Sequence, residues 1–204
     1  LQPIEELITR LVREVAKHPT ELPLPWPRIP YAEALLKYGT DKPDLRYEVE
    51  IVDVTDLARG SDFKVFAGAV EAGGAVRGIR VPGGAELSRK QIEGYQPVAG
   101  EFGAKGLAWM KVTAEGASGP VAKFFGDGEM EAAFGAEAGD LLLFVADPDE
   151  GVVAWSLGAV RVVDGDTVLG GGGQDALLFG DRHEGLAEQM KVLASGIRPV
   201  LIQG

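Results

Sequence analysis

The stretch Val76–Val112, VRGIRVPGGAELSRKQIEGYQPVAGEFGAKGLAWMKV, decides the fold because its apolar period changes twice. VRGIRVPG reads as a strand. SRKQIEGYQPVAGEFG reads as a helix, opened by Ser88 as N-cap, closed at Gly103 and weakened at Gly94 and Pro97. GLAWMKV returns to a strand. Downstream, the turn-rich TAEGAS joins it to GPVAKFF, read as a further strand, and GEMEAAFGAEAG is helical. DLLLFVAD is a strongly apolar strand. VVAWSLGAVRVV stays open between helix, which its Gly158 and small residues permit, and strand, which its valines favour. This mixed order predicts an α+β fold rather than a doubly wound α/β sheet.

Upstream, Ile4, Leu7, Ile8, Leu11, Val12 and Val15 share one face of a predicted helix, and that face needs a cover. The proline-rich HPTELPLPWPRIP that follows suits a stiff extended strap. Its Pro27–Pro30 PxxP, with Arg28 inside, fits a ligand for a polyproline-binding domain. The structured segments on both sides favour the other reading, a strap over the protein's own surface with Trp26 turned inward. PYAEALLKYG is a short helix with Pro30 in its first turn and Gly39 as its stop. In YGTDKPDLR, Tyr38–Arg46, the residues Thr40, Asp41, Lys42, Asp44 and Arg46 read either as a catalytic set or as a solvated turn before the extended LRYEVEIVDV.

The chain has 204 residues, 46% of them apolar, enough for one large domain or two small ones with a real core. With no cysteine there is no disulfide, thiolate metal site or cysteine nucleophile, which accords with a reducing cytoplasm. No apolar run approaches the roughly 20 residues that span a bilayer, and the first helix lacks the features of a secretion signal. A cytoplasmic protein with no membrane partner is expected. The chain begins at Leu1, as an excised or processed piece would. Net charge is −11, which argues against DNA and against general nucleic-acid affinity. One segment runs the other way: from Arg77 to Lys111, Arg77, Arg80, Arg89, Lys90, Lys105 and Lys111 oppose Glu86, Glu93 and Glu101.

Catalytic signatures are not found. His18 and His183 have no metal-ligand spacing, Ser118 has no nucleophile elbow, and Asp164 and Asp166 lack the rest of a calcium loop. The glycine run Gly170–Gly173 is followed by neither a GK[ST] nor a dinucleotide pattern and reads as a flexible link. No catalytic residue, metal or cofactor is assigned.

The block ELPLPWPRIPYAEALLKYGTDKPDLRYEVEIVDVTDL closely resembles the segment of bacterial-type aspartyl-tRNA synthetases that leads out of the first half of their class II catalytic domain. LSRKQIEGY, GAKGLAWMKV, GPVAKFF, GDLLLFVAD and LGAVR look like the GAD domain inserted in those enzymes and shared with a tRNA-dependent amidotransferase subunit. The resemblance covers residues 1–163. It implies a two-layer GAD-like domain over 63–163, an antiparallel sheet with helices on one face. Residues 1–62 would be the helix, strap and connector of a class II core. The tail 164–204 follows no synthetase pattern.

The family's anticodon-reading OB-fold, its motif 2 loop and its motif 3 arginine have no counterpart in this sequence. The resemblance therefore implies a chain inactive by itself, a noncatalytic accessory region near the tRNA acceptor arm, with Arg77, Arg80, Arg89, Lys90 and Lys105 as the expected tRNA contacts. A protein-interaction or structural module, docked on the rest of a synthetase or on a second copy, is the alternative.

Overall fold

The computed structural model describes residues 2–15, 22, 24–43, 49–162 and 201–203. His18, His183, Asp44, Arg46 and the glycine-rich tail up to residue 200 lie outside the described residues. In chain order the elements are α1 (Gln2–Val15), β1 (Arg28–Pro30), α2 (Tyr31–Tyr38), β2 (Ile51–Asp53), α3 (Thr55–Arg59) and α4 (Lys64–Glu71). There follow β3 (Ala75–Val81), α5 (Arg89–Glu93), α6 (Gln96–Glu101), β4 (Ala108–Thr113), β5 (Gly116–Ser118) and α7 (Glu129–Phe134). The last are β6 (Leu141–Asp147), α8 (Glu150–Val162) and β7 (Leu201–Gln203).

An antiparallel sheet of order β2-β3-β6-β4-β5 organises the chain. A small parallel pair joins β1 to β7, with Arg28 opposite Leu201. The α+β class and the antiparallel sheet agree with the sequence reading. β6 is central and pairs with β3 from Ala75↔Asp147 to Val81↔Leu141. Leu141, Leu142, Leu143, Phe144 and Val145 are all fully buried. A strand whose consecutive residues are all buried must be covered on both faces, since neighbouring side chains point to opposite sides.

Ile79, Val81, Leu141, Leu143 and Val145 pack under α5, α6 and α8, the helical layer expected on one face. On the other face, Val76, Leu142 and Phe144 meet Ala58 of α3, Phe66 of α4, and Met130 and Phe134 of α7. Each such apolar side chain contributes about 1.5–3 kcal/mol on burial. The expectation of helices on one face is thus extended by short helices on the second.

Several local readings are refined. Ser88 does cap α5: its hydroxyl accepts from Gln91 N and the Gln91 side chain accepts from Ser88 N, a capping box. The helix expected to run to Gly103 breaks into α5 and α6 between Gly94 and Pro97. GPVAKFF is not a strand. Gly119, at φ 129°, turns the chain after β5, and Pro120 has no N–H for a ladder. Ala122–Phe124 then forms a 3₁₀ turn that sets Phe124 and Phe125 against Phe63 and Phe66. The ambiguous run 152–163 is helical as far as Val162, within α8. Asp149 Oδ1 accepts from Gly151 N at 2.8 Å at its start, and Val153, Leu157 and Val160 are fully buried at helical spacing.

The largest departure is at α1. The apolar face was expected to find a cover, yet Ile4, Leu7, Leu11 and Val15 are 50–73% exposed. Trp26 and Arg28 of the strap sit on the adjacent polar side instead. Glu5, 1% exposed, accepts from Trp26 N at 3.2 Å and from Arg28 Nη2 at 2.5 Å, and Trp26 Nε1 donates to Thr9 Oγ1 at 3.3 Å. Trp26 is buried, as the strap reading expected. Three hydrogen bonds to one helix face outweigh apolar periodicity there, because a buried carboxylate has to be paired.

Candidate nucleic-acid interface

The residues of the basic segment have different fates. Arg77 lies in central β3 and is 5% exposed, with its Nε 2.9 Å from Asp53 Oδ2 and its Nη2 2.5 Å from Glu150 Oε2. Burial would lower its pKa, but the two carboxylates outweigh burial and raise it. It ties β2 to the start of α8. Arg80 is held by Asp140, Nε to Oδ2 at 2.6 Å, and by the carbonyl of Gly135. Lys111 Nζ donates to the carbonyls of Ala85 and Leu87 at 2.7 and 2.6 Å. These three cations hold the fold together.

Asp140 is the hub of the second pair. It also accepts from Gly83 N at 3.1 Å and Glu137 N at 2.9 Å, joining the turn after β3 to the loop before β6. Burial alone would raise its pKa, but the Glu137 and Gly83 amides and the Arg80 charge hold it below the ordinary carboxylate value. A depressed pKa contributes stability that is fully present above the unfolded-state value of about 3.9 and is lost as pH falls through the lower folded value. Asp140→Asn is therefore expected to cost about 1.5–3 kcal/mol at neutral pH. It is also expected to flatten the acid limb below about pH 4, read by urea unfolding at stepped pH.

Arg89 and Lys90 are exposed on α5, and Lys105 is exposed in the segment before β4. Arg89 Nε lies 2.6 Å from Glu93 one turn on, both well exposed, a pairing of small energetic weight. Among the described residues no carboxylate lies within ion-pair distance of Lys90 or Lys105. Arg89 and Lys105 border the same cleft, together with Gln96 and Trp109. Sequence reasoning passed over Gln96 and Trp109. Each is unremarkable in its own element, and only the convergence of α6 with β4 brings them together.

Of the Tyr38–Arg46 motif, residues 38–43 are described. The ring of Tyr38 lies under the Arg161 guanidinium at 4.9 Å, and its hydroxyl donates to Glu50 Oε1 at 3.3 Å. Thr40 Oγ1 accepts from Lys42 N at 3.2 Å, the turn expected of it. Gly39, at φ 66°, closes α2 against Gly158 of α8. Among the described residues no helix is long and apolar enough to cross a membrane.

Residues 66–156 match the GAD domain family. The chain is 52% identical over 165 residues to an aspartate–tRNA(Asp/Asn) ligase of Moorella thermoacetica, covering 79% of this chain and 27% of the relative. It is 49% identical over 162 residues to the aspartate–tRNA(Asp/Asn) ligase of Bacillus subtilis, covering 78% and 27%. Against the aspartate–tRNA ligase of Halalkalibacterium halodurans it is 46% identical over 162 residues, again 78% and 27%. Residues 66–156 are thus similar to the GAD domain family, and most of the chain's length is similar to one region of these ligases. The chain spans about a quarter of the length of the curated relatives it matches.

Proposed function

We propose that this chain is a noncatalytic accessory region of an aspartate–tRNA ligase that contacts tRNA near the acceptor arm, with the cytoplasm as its setting. The accessory unit is residues 63–163, and residues 1–62 attach it to the catalytic core. The observation that carries the RNA contact is the set Arg89, Lys90 and Lys105, exposed on a chain of net charge −11. Cations that are exposed and either without a carboxylate partner among the described residues, as Lys90 and Lys105 are, or held only by a weak surface pair, as Arg89 is by Glu93, are the ones available to phosphates. Arg77 and Arg80, by contrast, serve internal pairs, so the proposed contact rests on the other three.

The test is charge reversal of Arg89 and Lys90 together to Glu, read by equilibrium binding to aspartate tRNA across a salt series. The expected result is weaker binding and a salt dependence shallower by about two in slope, one for each lost phosphate contact. Unchanged affinity and slope would remove the assignment.

A second reading, a protein-docking module, is favoured by the apolar side of α1, which is exposed among the described residues. Soluble monomers rarely leave such a stripe open. Failure of the RNA test in the unaltered chain would move this reading to the front.

A further inference from the structure

The sheet is split in one place. β4 meets β6 only from Ala108↔Phe144 to Lys111↔Leu141, whereas β6 runs on to Asp147 against β3. Residues 105–107 leave the sheet, so the edge of β6 from Val145 to Asp147 has no β4 partner, and a cleft of about 620 Å³ opens at the gap. That is ample for a small ligand. Because the cleft opens where the strands part, both helical layers wall it: α4 with Phe66 on one side, α5 and α6 with Arg89 and Gln96 on the other.

Its chemistry is divided by depth. Phe66, Val121 and Phe144 line it as fully buried apolar groups, while Phe63 and Trp109 are half-buried aromatic walls. The exposed polar groups are Gln96, Arg89, Glu93 and Lys105. The acids nearby are engaged: Glu93 with Arg89, and Asp147, whose carboxylate accepts from Asp149 N at 3.0 Å. Lys105 has no carboxylate partner among the described residues.

The geometry points to a pocket for one unstacked base of single-stranded RNA, its ring against the aromatic walls and its phosphate on Lys105. An aromatic wall accepts the face of any base, a lysine at the mouth takes the phosphate, and an amide donates to and accepts from a base edge. This deepens the proposed tRNA contact and rests on it for its biological setting, but it can fail independently.

Gly68 makes the test clean. It lies on α4, lines the cleft, and a Cβ built on it meets nothing within 4 Å. Gly68→Leu therefore adds a side chain at the wall of the cleft without a clash while favouring the helix. Gly106→Leu, equally open and lining the same cleft, is the second variant. Both should keep the melting temperature of the unaltered chain or raise it.

The probes are the nucleoside 5′-monophosphates, a short single-stranded oligoribonucleotide and the same oligomer as a blunt duplex. Binding of the single strand in preference to the duplex, reduced at least about tenfold by either leucine, is the expected result. Single-strand binding indifferent to both leucines, or no binding of any of these probes, would overturn the pocket. If tRNA binding is lost on reversing Arg89 and Lys90 but ignores both leucines, the pocket falls and the accessory function stands. Mononucleotides displaced by leucine, without any tRNA binding, would keep the pocket and discard the accessory function.

Discussion

Gly158→Val is expected to lower the melting temperature by roughly 6–12 °C and to release α2 from α8. A Cβ at this position would stand 2.7 Å from Gly39 O and 2.9 Å from Tyr38 O, both backbone atoms that no rotamer change can move away. The facing residue is as constrained. A Cβ on Gly39 would lie 2.0 Å from Ala154 O, and its φ of 66° is unfavourable for any side chain. Overpacking of this kind costs about 1–3 kcal/mol, and backbone obstruction places this site at the upper end.

The strain is relieved most cheaply by undocking α2, because the sheet's cores do not run through this contact. Hydrogen exchange should therefore quicken at Ala34 and Tyr38 while β6 stays protected. Gly39→Ala in the Gly158→Val background should cost far less than by itself, since both break one contact. Full additivity, or unchanged exchange in α2, would refute this joint.

Phe144→Ala is the second large effect, a loss of about 3–5 kcal/mol measured from the urea midpoint at constant slope. Phe144 is fully buried, with its ring centroid 5.5 Å from Phe134, edge to face, and 5.9 Å from Phe66. Gly78 opposite it leaves room for these rings: a Cβ there would come within 2.8 Å of both Phe134 and Phe144. Truncation leaves a void that two packed layers cannot close. Val65→Ala, at a side chain 59% exposed, should stay within about 0.5 kcal/mol and serves as the control. A small loss at Phe144 would mean that the second face of the sheet is loosely packed.

Much of the sheet was legible because its signals are local. The unbroken run 141–145 belongs to a strand covered on both sides. Ser88 with Gln91, and Gly39 after α2, announced helix ends through chemistry that acts within four residues. What escaped was set at long range. The exposed side of α1 follows from Glu5 meeting Arg28, 23 residues away, and the burial of Arg77 from Glu150, 73 residues away. A basic segment in sequence became three structural cations and three surface ones only because β3 and β4 run into the sheet. The cleft was illegible for the same reason, since its walls come from α4, α5, α6, β4 and β6.

The central claim, an accessory region that contacts tRNA, is tested most directly by equilibrium binding of the unaltered chain to aspartate tRNA and to one unrelated tRNA, at low and at physiological salt. Tighter binding to aspartate tRNA that weakens steeply with salt is the predicted result. No binding to either tRNA even at low salt would contradict it.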